Sequence, residues 1–263
     1  MSEEQTRKLD LSIEIAADDE ALWRAVSTAE GLTRWFPPFA RVTDPGVGGK
    51  FWLSWGEGME GEAVIEAWEP NRLLRVSEPS GMIVEYIITK SGSGAVMRIV
   101  QSGFGTGEMW DEIYDGLQGG WAYFLYGLKH YLERHRGKVR HLISARRQMS
   151  IPRAEAWPLL FSALGFALNV ADWKVGEHFE GRIGDRSVSG DIVVCRPAQS
   201  FAGTLRELND GLLFVELEAG APWHCGVWLS VYGDNPDVPK LQKTLDRVMD
   251  EIVNQSAAHP AAQ

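Results

Sequence analysis

The residues of this chain best suited to chemistry are aromatic rings and a few neutral polar groups, not acids, thiols or metal ligands. Eleven tryptophans outnumber the 6 tyrosines and the 10 phenylalanines. Strand alternation puts Phe51, Leu53 and Trp55 on one face, with Trp52 and Ser54 on the other. It likewise groups Val84, Tyr86 and Ile88, and it groups Met97, Ile99 and Gln101. Trp110, Tyr114 and Trp121 stand at helical spacing later in the chain, and Trp35 precedes the Pro37-Pro38 pair. Facing one another, these residues make either an ordinary aromatic core or an apolar pocket in which Gln101, Tyr86 and Tyr114 orient a ligand. Gln101 is the sharpest of them. A buried amide left unpaired costs a few kcal/mol, so a ligand, a water or Tyr114 has to satisfy it.

The remaining chemistry-bearing residues are better explained without a site. Glu60, Glu62 and Glu66 lie along one strand and read as a solvated outer face. His130 and His135 sit near the end of a long helix, where the helix dipole favours a cation. His178 and His224 belong to no motif, and no metal site is expected. No GxSxG, P-loop or HExxH pattern occurs. The Val47–Lys50 turn is followed by a strand instead of a helix, which excludes a phosphate loop. Cys195 and Cys225 are not a CxxC pair and read as small hydrophobes on strands. No catalytic residue can be assigned and no cofactor is expected.

Composition bounds the partners. The 263 residues carry 44% hydrophobic and 24% charged side chains and a formal net charge of −10, a globular profile that opposes binding to nucleic-acid phosphates. Residues 1–137 hold 13 basic and 21 acidic side chains, so most of the acidity is theirs. The first ten residues have no apolar run of a signal peptide. No stretch nears about 18 apolar residues, so no membrane insertion is expected. The expectation is a cytoplasmic protein.

Positioning elements follow from periodicity. Leu9, Leu11, Ile13 and Ile15 alternate with polar residues as a half-buried strand. Asp18 or Asp19 caps a helix carrying Leu22, Trp23 and Val26, and a second short helix spans 29–35. Strands at 51–55, 61–68, 73–77, 82–89 and 95–103, joined by short turns, make an antiparallel meander. Trp110, Ile113, Tyr114, Leu117, Trp121, Leu125, Leu128 and Leu132 then step by three and four along a helix over 108–134. Gly119-Gly120 interrupts that helix. The pair reads as a kink, as a close backbone approach, or as a gap beside a ligand. The same order recurs about 127–130 residues later: VGEHF at 175–179 echoes VGGKF at 47–51, and VVCRP at 193–197 echoes EAWEP at 66–70. This is an internal duplication. Its last helix is shorter, with Leu245, Val248 and Ile252, and Gln255 to Gln263 read as a mobile tail.

The first half resembles the SRPBCC superfamily, also called START-like. Within it the half is similar to the branch named after the activator of the ninety-kilodalton heat-shock chaperone's ATPase. DDEALWRAVST at 18–28, Trp35, GGKF at 48–51, EAWEPNRLLR at 66–75, QSGF at 101–104 and GWAYFLYGLKHYLE at 120–133 carry the resemblance. The second half resembles the superfamily weakly and lacks the Gly-Trp start of the last helix. The resemblance implies an α+β protein of two tandem helix-grip domains, 8–136 and a degenerate copy at 139–256. Each is a curved antiparallel sheet wrapped around a long C-terminal helix. It also implies a cavity for a small apolar or aromatic molecule, lined in the first domain by Trp35, Phe51, Trp55, Tyr86, Gln101, Trp110, Tyr114 and Trp121. Two other roles remain open. One is a cyclase, aromatase or hydrolase acting on a hydrophobic carbonyl substrate through Gln101, Tyr86 and Tyr114. The other is a protein-interaction module with Trp52 and Trp68 as exposed anchors. Fold alone does not choose.

Overall fold

The computed structural model describes residues 7–166, 173–218, 223–234 and 236–258, with side chains through 255. The first segment, 1–6, and most of the expected tail, 259–263, lie outside the described residues. The architecture is α+β, with two antiparallel sheets that repeat one topology: a tandem helix-grip fold. The first sheet runs β1(Leu9–Ile15), β7(Gly94–Ser102), β6(Ile83–Ser91), β5(Leu73–Ser77), β4(Glu60–Glu69), β3(Lys50–Ser54), β2(Phe39–Thr43). Helices α1(Asp19–Ser27) and α2(Ala29–Thr33) follow β1, and α3(Glu108–Arg134) follows β7. The second sheet runs β8(Arg140–Gln148), β13(His224–Tyr232), β12(Gly211–Leu217), β11(Ser200–Leu205), β10(Arg186–Arg196), β9(His178–Ile183), with α4(Arg153–Ala163) after β8 and α5(Val238–Ala258) last.

The duplication extends to irregularities that need not repeat by chance. The β4–β5 ladder shifts register between Ile65 and Ala67, and the β10–β11 ladder shifts between Ile192 and Val194, 127 positions on. At each bulge the isoleucine exchanges both backbone bonds with a turn: Gly48 N with Ile65 O at 2.8 Å and Ile65 N with Gly49 O at 2.9 Å, then Gly176 N with Ile192 O and Ile192 N with Glu177 O, both at 2.8 Å. The next hairpin turns are Glu69-Pro70-Asn71 and Arg196-Pro197-Ala198, and both third residues are left-handed, φ 61° at Asn71 and 56° at Ala198. Strand β2 has no described counterpart in the second half, and periodicity does not reveal it. Its side chains alternate only between exposed and half-buried, as on a sheet edge, so no apolar alternation marks it.

The chain divides into two compact units, Met1–Tyr114 with Phe124–Lys138, and Asp115–Tyr123 with Val139–Gln263. The sequence reading assigned all of α3 to the first domain; its middle residues pack within the second unit instead. Tyr123 stacks on Phe214 with centroids 4.1 Å apart and an interplanar angle of 3°, and its hydroxyl lies 3.4 Å from Ser230 Oγ. Gly119 is the reason a glycine stands in this helix. A Cβ there would be 2.9 Å from Ser200 Oγ and 3.0 Å from Arg196 Nη1. The helix is continuous, so of the three readings of the Gly-Gly pair, close approach describes Gly119. A fragment beginning at 138 would leave residues 115–123 out of the second unit.

In the first unit Leu125, Leu128 and Leu132 of α3 are buried with Leu9, Ile65, Leu74, Ile88, Met97 and Ile99. The end of the helix is tied to β1 by Lys129 Nζ donating to Glu14 O and Glu133 Oε1 accepting from Ala16 N, each at 2.8 Å. In the second unit Ile143, Leu213, Val215, Val227 and Leu229 meet Leu245, Val248 and Met249 of α5.

The left-handed Ala198 gives a direct test of local strain. L-residues other than Asn, Asp and Gly pay roughly 1 kcal/mol there. Ala198→Asn, which copies the residue at the equivalent turn, is expected to stabilise the protein by about 0.5–1 kcal/mol in urea denaturation.

Candidate functional site

The candidate residues of the first unit fall into an inner packed group and an outer, half-exposed group. Trp35, Phe51 and Tyr86 are among the largest fully buried side chains. Trp35 is set by the short α2 helix and the turn before Pro37. Its indole Nε1 donates to Ala25 O at 2.9 Å, and its ring stacks on Phe36 at 5.0 Å. Phe36 in turn meets Trp55 edge-on at 5.2 Å and Phe124 at 4.6 Å. Trp55 lies just past the end of β3 and is half-buried. The β3 alternation ends at Ser54, whose hydroxyl turns back to accept from Gly56 N at 3.1 Å. Phe51 and Tyr86 face each other with centroids 6.3 Å apart.

The register of β6 and β7 places Val84 beside Gln101 and Tyr86 beside Ile99, and β1 places Leu9 on the other side of Gln101. Gln101 is 3% exposed, and its Nε2 donates to Met82 Sδ at 3.7 Å, a weak acceptor. The Tyr114 hydroxyl donates elsewhere, to Lys8 O at 3.2 Å, with the Arg7 guanidinium 4.4 Å over its ring. Tyr114 and Trp110 both pack edge-on to Phe104, at 5.3 and 6.4 Å, and remain half-buried. A side chain at Gly105 would collide with the Trp110 indole, so that glycine seats the ring. Trp121 is 5% exposed and falls in the second unit, apart from the other seven residues of the expected pocket. Its helical spacing was right, but periodicity cannot say which sheet a turn of a long helix faces.

Sequence reasoning missed Phe36, Phe104, Phe124 and Met82 as members of these clusters. Phe36 and Phe124 were legible as neighbours of Trp35 and of the GWAYF segment, and Met82 as the residue two before Val84 in the strand read over 82–89. Trp68 is half-buried edge-on to Trp23 at 5.0 Å, and Trp52 is half-buried beneath Arg41 at 4.8 Å, so neither is the exposed anchor expected. The β4 bulge explains Trp68: one extra residue turns it from the alternation read off the sequence. Glu62 pairs with Lys50 at 2.7 Å and Glu66 with Arg75 at 3.5 Å, as a solvated face would. His130 and His135 are buried, with rings 5.0 Å apart, and not solvated at a helix end.

Burial, helped by Glu78, pushes the Tyr86 hydroxyl well above the usual phenol range. Burial pushes the Cys225 thiol up to about 12, and the half-buried Cys195 thiol also rises, which leaves both unreactive near neutral pH.

Comparison with known proteins places the first unit. Residues 16–133 match the family model described as Activator of Hsp90 ATPase homolog 1-like protein. The first half of the chain is thus similar to that family over these residues. No curated protein matches the chain. Among solved structures, the Aha1 dimer from Colwellia psychrerythraea is 20% identical over 50% of this chain and 99% of its own, with a TM-score of 0.44. Two others span nearly the whole chain. One is the di-domain ARO/CYC protein BexL of the BE-7585A biosynthetic pathway, at 13% identity, 98% and 99% coverage and TM-score 0.43. The other is DynU16, a putative protein in the dynemicin biosynthetic locus, at 17% identity, 95% and 97% coverage and TM-score 0.42. No helix among the described residues is long and apolar enough to cross a membrane.

The raised Tyr86 hydroxyl has a spectroscopic consequence. In a titration followed at 295 nm, Tyr86 is expected to stay protonated at pH 11 while the fold persists. The amplitude below pH 11 should therefore be unchanged in Tyr86→Phe.

Proposed function

We propose that the first unit binds a small apolar or aromatic molecule bearing one hydrogen-bonding group, without strong catalysis. The observation that supports this reading is the division of its aromatic set. Trp35, Phe51 and Tyr86 are fully buried, while Trp110, Tyr114 and Trp55 stay half-buried and keep exposed ring surface. Gln101, with Leu9 and Val84 on either side and a thioether as acceptor, is the polar group suited to orient a bound molecule. Half-buried indoles can surrender their remaining exposed surface to a ligand, at roughly 25 cal/mol per Å². Catalysis by general acid or base needs a group that changes protonation near the working pH. The candidate residues offer only phenols and an amide for that role, and the Tyr86 phenol is moved further from neutrality.

Tryptophan fluorescence and native mass spectrometry with a panel of fatty acids, sterols and polycyclic aromatics test this directly. Binding at micromolar concentration is expected, weakened at least tenfold in Trp110→Ala and in Gln101→Leu. No binding across the panel, or equal binding in both variants, would overturn it. Turnover of a hydrophobic ketone lost in Tyr114→Phe would favour an enzyme. Stimulation of the Hsp90 ATPase by the ligand-free protein would favour a protein-interaction role.

A further inference from the structure

On the face of the second sheet turned away from α5, one row of residues crosses five strands. Antiparallel register aligns Arg196 of β10, Ser200 of β11, Glu216 of β12, Gly226 of β13 and Arg146 of β8. Val215 and Leu217 belong to the core against α5, so Glu216 between them points to the opposite side. Residues 115–119 of α3 lie over the Arg196 end of this row. Arg196 Nη1 donates to Asp115 O at 2.7 Å and Nη2 to Gln118 Oε1 at 3.3 Å. Ser200 is 3% exposed, and its hydroxyl has no hydrogen-bond partner among the described residues. It stands one strand from Glu216 and, like Arg196 Nη1, within 3.0 Å of the point a Gly119 Cβ would occupy.

We propose that Glu216 triggers a proton-controlled latch: protonated, it leaves Arg196 holding the Asp115–Gln118 turn of α3; ionised, it draws Ser200 and Arg196 to its carboxylate and releases that turn. The Cα atoms of β10 and β12 are about 10 Å apart across the intervening strand, a gap that an extended arginine and a glutamate span together. Ser200 lies between them with a hydroxyl free to donate. The proton leaves to solvent, and no other bond is made or broken beyond hydrogen bonds.

The charged groups around Glu216 agree with such a trigger. Burial pushes its carboxyl up to about 8, the neighbouring Glu218 on its own strand adds to the rise, and Arg146 from β8 opposes it. Arg146 is already engaged by Glu218, at 2.7 Å through Nε and 2.5 Å through Nη2, so it is a committed counterion. From β13 the titratable neighbour is Cys225, neutral in this range. From β10 it is Arg196, and the turn of α3 that Arg196 holds carries the carboxylate of Asp115, exposed at the surface. The linkage sign follows. The folded chain keeps a proton that the unfolded chain releases above the ordinary carboxylate range. Folding stability therefore falls as pH rises from about 4.5 to about 8 and is flat above, by up to tenfold in the folding constant per pH unit.

Hydrogen exchange of the full chain, corrected for intrinsic rates between pH 6.5 and 9.5, is the test. Protection of the amides of residues 115–119 is expected to fall at least tenfold with a midpoint near pH 8. It should stay flat in Glu216→Gln, and its midpoint should move upward in Ser200→Ala, which removes the bridging hydroxyl. A flat profile in the wild type, or the same profile in Glu216→Gln, overturns the latch. If Glu216→Gln does not fold, a carbon-13 titration of the wild-type carboxyl decides: a midpoint below pH 6 overturns it, and one near 8 that tracks the exchange profile supports it.

Discussion

Both units depend on α3, a helix whose 27 residues must satisfy packing demands that differ from turn to turn. In the first unit its last turns supply Leu125, Leu128 and Leu132 to the core. In the second, its middle residues lay Tyr123 on Phe214 and bring Gly119 against Ser200 and Arg196. An amphipathic helix normally shows one apolar stripe. Here the stripe runs from Trp110 through Trp121 to Leu132 and is broken by Gly119-Gly120, because size and not only polarity is constrained along its length. The two glycines weaken helix propensity by roughly 1 kcal/mol each, and at Gly119 the cost is offset by the close approach that a side chain would prevent.

Aromatic rings in the first unit are fixed by hydrogen bonds and glycines as much as by apolar contact. The Trp35 indole is held by the Ala25 carbonyl, and the Trp110 indole rests on Gly105. Rings positioned in this way have defined edges and faces, a pre-organisation that would lower the entropic cost of the proposed binding. The acidic outer strands, by contrast, carry surface ion pairs that contribute little to stability.

Repetition of the bulge at Ile65 and Ile192, and of the left-handed turn at Asn71 and Ala198, shows that the two halves share backbone geometry even where side chains have diverged. Asparagine tolerates the left-handed region better than alanine, which occupies it at a cost of roughly 1 kcal/mol. The second half therefore keeps the turn without its most suitable residue. Strand pairing on both sides constrains the turn more strongly than the identity of one half-buried side chain.

Local pattern determined the helices, the duplication and the strands other than β2, because alternation and helical spacing survive divergence and act over short stretches of chain. Phe51, Tyr86 and Gln101 are buried, but alternation alone did not choose their face, because both faces of these strands carry apolar residues. Tertiary structure alone decided which sheet each turn of α3 serves, so Trp121 went to a different unit from Trp110 and Tyr114. It also decided that Tyr114 bonds to Lys8 and not to Gln101, that the β4 bulge turns Trp68 onto Trp23, and that Glu216 lies in a row with Ser200 and Arg196. Those outcomes rest on register and on contacts between residues tens of positions apart, and such distances in sequence leave no periodic signature in either partner.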